Sequence, residues 1–211
     1  MEDDFNTILD RLTAQTYELV VISIIGMGGT RKTTVARKAY DNSYIHSRFD
    51  KQAWVTISKE YNKRQMLLEF VSSITGSSQE MSNDQLMEIV YSGLKDMRFL
   101  IVIDDIQSTE AWAQMQRIFL NDDNKIRILL TTRLKYVVDY VSCPDFTPYS
   151  KTFLSLDDSW ILFTKNIFKK DLCPPLLIEI WKHIVQHCKG LPLLVVVVSR
   201  LLGKIDPTHN Y

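Results

Sequence analysis

Residues 26–34 read Gly-Met-Gly-Gly-Thr-Arg-Lys-Thr-Thr, and this stretch decides the fold that the sequence predicts. The apolar run from Leu19 to Ile25 precedes it and predicts a buried parallel strand. Residues 33–40, which follow, favour a helix. A strand, a glycine-rich turn, the pair Lys-Thr and a helix in this order are typical of a phosphate-binding loop. The stretch therefore predicts an α/β fold with a phosphate bound where that helix begins.

Each residue type in this loop has a chemical role in binding phosphate. Gly26, Gly28 and Gly29 allow the backbone to close around an anion, so that the N–H groups of the loop point into one concavity. The first turn of the helix adds further N–H groups and the positive end of its dipole. We expect Lys32 to reach the β- and γ-phosphates and the Thr33 hydroxyl to ligate Mg²⁺.

Residue 31 departs from the usual pattern G-x-x-x-x-G-K-[ST], because an arginine stands where the last glycine is expected. A side chain at this position lies where the backbone passes close to the phosphates, and a strained backbone there costs about 1–3 kcal/mol. Arg31 either blocks the site or supplies a guanidinium that pairs with phosphate. A glycine-rich turn without a ligand is the third interpretation that the sequence leaves open.

A second stretch, residues 98–105, reads Arg-Phe-Leu-Ile-Val-Ile-Asp-Asp. In it, five apolar residues are followed by two adjacent carboxylates. A buried parallel strand places these carboxylates at its carboxyl end, beside the loop after the first strand. This is typical of a Walker B element, in which Asp104 would hold Mg²⁺ through water and Asp105 would orient or deprotonate the attacking water. A strand ending in an aspartate helix cap is the alternative. The phosphate loop about 70 residues upstream favours the nucleotide interpretation.

The stretch at residues 126–132, Ile-Arg-Ile-Leu-Leu-Thr-Thr, predicts a further buried strand, and Arg133 follows at its end. An arginine at that place is suited to contact the γ-phosphate of a nucleotide bound at neighbouring strand ends. An ordinary surface cation is the alternative interpretation of Arg133.

Composition limits the class of protein. A hydrophobic fraction of 45% and a charged fraction of 24% are ordinary for a soluble globular chain of 211 residues, and the formal net charge of +0 gives no electrostatic indication of nucleic-acid binding. The most apolar stretch, residues 191–198, is far shorter than the roughly 20 residues of a transmembrane helix. The acidic N-terminus argues against a signal peptide. Three scattered cysteines predict neither a disulfide framework nor a zinc site, so we expect a reducing compartment.

The remaining sequence predicts alternating helices and strands, then a linker at residues 143–150 and mainly helices from residue 157 onward. Ser82 and Gln85 predict a capping box. The other predicted elements are helices at 1–18, 62–74 and 108–120, strands at 53–57 and 152–154, and a turn at 121–124.

In the C-terminal part, Leu156 and Ile161 predict a hydrophobic staple across an Asp157 cap. Pro174 and Pro175 are expected to open a helix. The inner face of that helix is predicted to carry Leu177, Ile180, Ile184 and Cys188. The valine-rich run after Pro192 favours strand by propensity, but proline at a first helical position favours helix, and we predict a fully buried helix.

These stretches, in this order, resemble the NB-ARC domain of plant nucleotide-binding leucine-rich-repeat immune receptors, and they look most similar to the coiled-coil class. Six motifs carry the resemblance and involve most of the chain. They are GMGGTRKTT, FDKQAWVTIS, FLIVIDDI, KIRILLTTR, FLSLDDSWILF and CKGLPL, at residues 26–34, 49–58, 99–106, 125–133, 153–163 and 188–193. The resemblance implies a P-loop NTPase-type parallel sheet with flanking helices over residues 1–148. A helical ARC subdomain over 149–211 is expected to follow, truncated before the winged-helix subdomain.

Domains of this family are ATP/ADP switches in intracellular pathogen sensing, in which ADP holds the resting form and ATP permits oligomerisation and defence signalling. The resemblance implies that this chain binds ADP or ATP with Mg²⁺ in the cytoplasm, hydrolyses ATP slowly at most, and contacts the coiled-coil and leucine-rich-repeat domains of its receptor. The candidate catalytic residue is Asp105, and the candidate metal ligands are Thr33 and Asp104. The candidate nucleotide contacts are Gly26, Gly28, Gly29, Thr30, Arg31, Lys32, Thr33 and Thr34, with Arg133 as the sensor and Pro192 against the adenine ring.

The chain departs from the family's pattern at several points besides Arg31. Asn124 and Lys125 stand where Gly-Ser is expected before Arg127. The segment before residue 5, which closes over the adenine in the family, is short. The second ARC subdomain and the repeats are missing after residue 211, so we expect exposed apolar surface on the last helices.

Two other functions stay open in the sequence. One is a degenerate, nucleotide-free module that acts through protein contacts, and Arg31 is its main support. The other is an ATPase of another STAND class, which would show steady multiple turnover. The sequence argues against this second alternative, because it has no obvious arginine finger beyond Arg133.

Overall fold

A computed structural model describes residues 2–14, 19–57, 62–76, 81–95, 97–119, 126–142, 146–168 and 177–204. The chain divides into two compact units. The first, which we call the sheet unit, comprises Met1–Gly26 and Lys32–Ser150. The second, the helical unit, comprises Met27–Arg31 and Lys151–Tyr211. The five residues of the phosphate loop from Met27 to Arg31 therefore group with the C-terminal helices.

The sheet unit is built on a five-stranded sheet in which every neighbouring pair of strands is parallel. The order across the sheet is β2-β3-β4-β1-β5, so β4 lies between the strand that enters the phosphate loop and the strand that ends in the two aspartates. The sequence predicts β4 as a strand but does not predict this intervening place. The strands are β1 (Val20–Ile25), β2 (Lys51–Thr56), β3 (Phe99–Asp104), β4 (Ile126–Thr132) and β5 (Tyr149–Ser150).

Helices cover both faces of this sheet, which confirms the predicted fold class. Because successive strand side chains point to opposite faces, Leu100 and Val102 enter one core while Ile101 and Ile103 enter the other. Burial on both faces explains why β3 reads as an unbroken apolar run up to Asp104. The first core is completed by α1 (Glu2–Thr13), α2 (Lys32–Tyr40) and α3 (Ser43–Arg48), and the second by α4 (Lys63–Thr75), α5 (Asn83–Leu94), α6 (Thr109–Phe119) and α7 (Lys135–Val141).

Most predicted elements of the sheet unit are confirmed, and the errors are short elements. The capping box of α5 is present, with Ser82 and Gln85 bonding each other's backbone N–H groups. The sequence does not predict α3 or α7, because helices of six and seven residues are too short to show a periodic apolar pattern. The turn predicted at 121–124 lies outside the described residues.

The fifth strand lies at Tyr149–Ser150, inside the predicted linker, and residues 152–154 are not in a strand. Tertiary contacts with α1 hold this two-residue strand beside β1. The Tyr149 hydroxyl donates to the Asp4 carboxylate, and the Arg11 guanidinium donates to the Thr147 carbonyl at 2.6 Å. Burial and the contact with Asp4 raise the pKa of Tyr149 to about 12, against the opposing charge of Arg11.

The helical unit packs three helices, α8 (Leu156–Ile167), α9 (Ile178–His187) and α10 (Pro192–Leu202), around a small aromatic core. Phe163 is fully buried, stacks on Trp160 and makes an edge contact with Trp181. Val185, Cys188 and Val195 complete this core.

Two predictions of side-chain direction in this unit are wrong. Ser155 caps α8 by accepting the Asp158 N–H at 3.0 Å, and the supposed staple partners Leu156 and Ile161 are both about half exposed. Ile180, predicted to face inward, is exposed, and the neighbouring Trp181 is buried instead. The predicted helix start at Pro174 and Pro175 lies outside the described residues.

The valine-rich segment is helical as predicted, but its predicted full burial is wrong. Four apolar side chains of α10 are exposed, namely Leu193, Leu194, Val197 and Leu201. Exposed apolar surface on the last helices is therefore confirmed. The helix starts at Pro192, whose fixed φ suits a first helical position.

The turn before α10 depends on Gly190, which has φ +72 and lies against the backbone of Leu154. A Cβ on residue 190 would lie 2.2 Å from the Leu154 carbonyl oxygen, and the Leu154 N–H donates to the Gly190 carbonyl at 2.8 Å. Neither backbone can move without losing this hydrogen bond. Gly190 therefore permits the contact that places Pro192.

We expect Gly190→Ala to lower the free energy of unfolding by about 3–4 kcal/mol, since it combines backbone strain with a clash against backbone atoms. Gly76→Ala is the matched control, because Gly76 has φ +73 but a Cβ there would meet nothing within 4 Å. Strain alone should cost about 1–2 kcal/mol there. Urea unfolding followed by tryptophan fluorescence measures both values, and equal costs would contradict the close packing at residue 190.

Candidate nucleotide-binding site

The start of the phosphate loop and the start of α2 are held by hydrogen bonds within the sheet unit. The Gly26 N–H donates to the Thr132 carbonyl at 3.3 Å, which continues the pairing of β1 with β4 by one residue. The Lys32 ammonium donates to the Gly26 carbonyl at 2.8 Å, so this lysine folds back onto the loop's first residue. Lys32 is buried, whereas Thr33 and Thr34 in the first turn of α2 are exposed.

The electrostatic surroundings of Lys32 come from the residues that the sequence singled out. Burial lowers the pKa of Lys32, the charge of Asp105 opposes that shift, Arg133 adds to it, and Asp104 opposes it. The structure thus brings the lysine, both aspartates and the arginine into one electrostatic cluster. This is the convergence of strand ends that the sequence predicts.

The Asp104 carboxylate connects three elements of the sheet unit. Its Oδ1 accepts the Thr33 hydroxyl at 2.9 Å and the Thr131 hydroxyl at 2.6 Å. Asp104 is only 7% exposed, so these donors compensate the loss of water around a buried charge. The two candidate metal ligands, Thr33 and Asp104, are therefore in direct contact.

The Asp105 carboxylate pairs with the candidate sensor arginine. Arg133 donates from Nε to Oδ1 at 3.2 Å and from Nη2 to Oδ2 at 3.0 Å, in the two-pronged geometry that suits a guanidinium. The hydrogen bond and the charge of Asp105 raise the pKa of Arg133. Gln107 donates to Asp105 Oδ2 at 3.1 Å, and the Gln107 carbonyl accepts the Tyr136 hydroxyl at 2.9 Å. The side chain of Arg133 is 52% exposed and that of Asp105 is 31% exposed.

Sequence reasoning missed three members of this network, namely Thr131, Gln107 and Tyr136. Thr131 and its neighbour Thr132 were detectable as polar residues that close a buried strand. Gln107 and Tyr136 carry no such signal, because Gln107 lies in the loop after β3 and Tyr136 lies in α7, a helix that the sequence does not predict. Their position follows from the tertiary fold alone.

The rest of the phosphate loop is described within the helical unit, where it packs against the start of α10. The Leu193 N–H donates to the Gly29 carbonyl at 3.3 Å. Gly29 has φ +77, and a Cβ there would lie 2.9 Å from the Leu193 Cβ. Pro192, the candidate adenine contact, is buried and immediately precedes Leu193. Thr30 is buried and donates from its hydroxyl to the Met27 carbonyl at 2.8 Å, while Gly28 is exposed.

Arg31 occupies the left-handed region with φ +68, as the glycine that it replaces would permit. Its side chain is half-buried, and this burial lowers the pKa of the guanidinium. The backbone thus keeps a glycine-type conformation in spite of the side chain.

The Mg²⁺ that this type of site implies fits the donor set. Mg²⁺ prefers oxygen ligands, keeps several water molecules and takes one or two carboxylates from the protein. A hydroxyl and a carboxylate in contact, as at Thr33 and Asp104, match that preference. Within the described segments, no group of three or more His, Cys, Asp or Glu side chains is arranged to hold a metal.

The fold and the arrangement of these residues define a class of protein. A parallel sheet with a glycine-rich loop between β1 and α2, and carboxylates at the end of β3, is the P-loop NTPase architecture. Within that class, the chain belongs to the NB-ARC domain family, whose sequence pattern matches residues 1–173.

Two relatives illustrate this membership. The chain is 33% identical to the disease resistance protein RPP13 of Arabidopsis thaliana over 221 aligned residues, which cover 99% of this chain and 26% of that protein. It is 32% identical to a putative late blight resistance protein homolog of Solanum demissum over 208 residues, covering 97% of this chain and 27% of that protein. The chain thus spans about a quarter of the length of these relatives.

Solved structures with lower sequence identity share the fold. The ORC2 protein of Aeropyrum pernix, in ADPNP–ADP complexes, aligns with a TM-score of 0.67 and 16% identity, covering 97% of this chain and 61% of that one. A STAND protein with a tetratricopeptide repeat sensor from Pyrococcus horikoshii aligns with a TM-score of 0.58 and 19% identity, covering 92% of this chain and 28% of that one.

Among the described helices, none combines the length and the apolar character that spanning a bilayer demands.

The φ of +68 at Arg31 leads to a prediction about stability. Arg31→Gly should raise the free energy of unfolding by about 1 kcal/mol, because glycine adopts this conformation without the Cβ penalty. Arg31→Ala is the matched control, because it removes the guanidinium but keeps the Cβ, and it should give no comparable gain. Urea unfolding of the three proteins measures the difference. A gain of equal size in both variants would assign the cost to the side chain rather than to the backbone.

Proposed function

We propose that this chain is the ATP/ADP-binding switch domain of an intracellular plant innate-immune receptor of the coiled-coil class. ADP would hold the resting form, ATP would permit signalling, and hydrolysis of ATP would be slow or absent. Membership of the NB-ARC family and the disease-resistance relatives support this assignment. The single observation that carries it is the 2.9 Å hydrogen bond from the Thr33 hydroxyl to the Asp104 carboxylate.

That hydrogen bond matters because it joins the first turn of α2 to the carboxyl end of β3. A phosphate-loop hydroxyl and a Walker B carboxylate have to converge if both are to serve one Mg²⁺. A hydroxyl that donates its proton to Asp104 still has lone pairs for a cation. The pair is thus suited to Mg²⁺ ligation without rearrangement of either side chain.

The other candidate residues have distinct tasks in this proposal. When bound, Mg²⁺ supplies positive charge that neutralises the β- and γ-phosphates. Lys32 would exchange its contact with the Gly26 carbonyl for phosphate oxygens, because charge-assisted bonds to phosphate are stronger than a bond to a neutral carbonyl. The N–H groups of Gly26, Gly28, Gly29 and Thr30 would line the anion, with Thr34 completing the first turn of α2 and Pro192 against the adenine.

The pair between Asp105 and Arg133 offers a physical basis for distinguishing ATP from ADP. A γ-phosphate gives Arg133 a second anionic partner, and ADP does not. Contact with the γ-phosphate would release Asp105 from its two hydrogen bonds with Arg133 and leave it to orient a water molecule. A ligand shifts a conformational equilibrium only by its difference in affinity for the two states, and this exchange supplies such a difference.

We further propose the family's division of the chain, with a nucleotide-binding domain at residues 1–148 and the first helical ARC subdomain at 149–211. The partners would be the nucleotide and the coiled-coil and leucine-rich-repeat domains of the same receptor, with an oligomer in the ATP-bound form. The compartment would be the cytoplasm, and we expect no nucleic-acid partner, because the formal net charge is +0.

A second candidate function is favoured by one observation, the arginine at the last glycine position of the phosphate loop. Arg31 is half-buried, and a guanidinium in the phosphate position would exclude the nucleotide. The chain would then act as a nucleotide-free module through protein contacts alone. The two candidates differ in whether the purified protein contains nucleotide.

Denaturing the purified chain and measuring the released nucleotide by chromatography tests the proposal. We expect the wild type to release ADP or ATP in near-stoichiometric amounts and Lys32→Ala to release at least about tenfold less, since the lysine contacts the transferred phosphates. Arg31→Gly and Arg31→Ala are the informative comparison. A wild type without nucleotide, together with full occupancy of Arg31→Gly, would reject the switch and establish the nucleotide-free module.

A further inference from the structure

Thr131 lies at the carboxyl end of β4. This strand lies between β1, which leads into the phosphate loop, and β3, which leads into the two aspartates. It is fully buried, with 0% of its surface exposed. Its hydroxyl donates to Asp104 Oδ1 at 2.6 Å and accepts the backbone N–H of Asp105 at 2.9 Å. One hydroxyl therefore acts as donor to the first aspartate and as acceptor for the second.

We propose that Thr131 is a positioning residue that orients both Walker B aspartates for Mg²⁺ and water. This inference rests on the proposed function, because it assigns a role within the nucleotide site. Thr131 contacts neither the nucleotide nor the metal in this role and acts through Asp104 and Asp105. Residues that hydrogen-bond to the ligands of a metal, and not to the metal itself, typically change metal affinity or activity by about 10–100-fold when they are replaced.

The effect on Asp104 follows from the number of donors at one oxygen. Two hydroxyls converge on Oδ1, from Thr33 at 2.9 Å and from Thr131 at 2.6 Å, and together they fix the plane of the carboxylate and so the direction of Oδ2. Thr33 is itself a candidate Mg²⁺ ligand, so its geometry changes when the metal binds. Thr131 is the donor whose geometry is independent of the metal, and it therefore pre-orients Asp104.

The effect on Asp105 acts through the backbone. Asp105 has φ +55, a conformation that few residues other than glycine adopt and that aspartate tolerates better than most. The N–H donation to Thr131 holds that conformation at the end of β3. The Asp105 side chain then leaves the strand toward Arg133 and Gln107, which bind its two carboxylate oxygens.

The next residue in β4 provides a matched control within the same strand. Thr132 is also 0% exposed, and its hydroxyl likewise donates one bond and accepts one, to the Ile106 carbonyl at 2.7 Å and from the Leu134 N–H at 3.1 Å. These partners are backbone groups and not aspartates. Loss of a buried threonine hydroxyl is therefore common to Thr131→Val and Thr132→Val, and contact with the aspartates is specific to Thr131.

The test measures the dissociation constant of a non-hydrolysable ATP analogue by calorimetry, with Mg²⁺ and again with EDTA, on the full chain. We expect Thr131→Val to weaken binding about 10–100-fold in Mg²⁺ and to leave binding in EDTA unchanged within about twofold. Thr131→Ser, which keeps the hydroxyl, should restore wild-type affinity. Thr132→Val should bind as the wild type under both conditions.

An independent readout needs no nucleotide. Amide hydrogen exchange at Asp105 should become faster in Thr131→Val, because its N–H loses its acceptor, and should stay unchanged in Thr132→Val. Equal weakening in Mg²⁺ and EDTA, or the same Mg²⁺-dependent loss in Thr132→Val, would overturn the assigned role of Thr131. A wild type that binds no analogue under either condition would instead reject the proposed function itself and this inference with it, so the two failures are distinguishable.

Discussion

The hydrogen-bonded chain from Thr33 through Asp104 to Thr131 is the interaction on which the rest of the sheet unit's site depends. A carboxylate with 7% exposure is costly to bury unless donors replace its lost water. Here the donors come from a helix and from a neighbouring strand, so satisfying one charge also ties α2 to the ends of β3 and β4. The geometry of a candidate metal site and the stability of the fold therefore share the same bonds.

Charge balance is a second constraint on this cluster. Asp104 and Asp105 face Lys32 and Arg133, and the two cations differ in environment, since Lys32 is buried whereas Arg133 is half exposed. An exposed ion pair contributes little to stability and can be exchanged at little cost, whereas a buried lysine requires a partner. In the proposed function, this difference would make Arg133 the more suitable group for responding to the phosphate content of a nucleotide.

Sequence reasoning recovered strands β1 to β4, the loop and the four charged residues of the cluster, because buried parallel strands and charged strand ends leave local patterns. It misplaced the two-residue strand β5. It did not recover β4 as the strand between β1 and β3, or the roles of Thr131 and Gln107. Strand order is set by long-range packing, and a threonine at a strand end has the same local pattern whether it binds an aspartate or a carbonyl. In the helical unit, Leu177, Ile184 and Cys188 pack on the core as predicted, but Ile180 is exposed and the neighbouring Trp181 is buried in its place.

The sequence by itself determined the class of fold, the family and the inventory of groups able to bind phosphate and Mg²⁺, since these depend on residue type and spacing along the chain. Tertiary structure alone decided which of those groups touch, because Thr33 and Asp104 are 71 positions apart and meet only when α2 and β3 pack in one unit. It also decided that Arg31 keeps a left-handed backbone with φ +68. The reason is that the close turn of the loop constrains the backbone of residue 31, whatever its side chain.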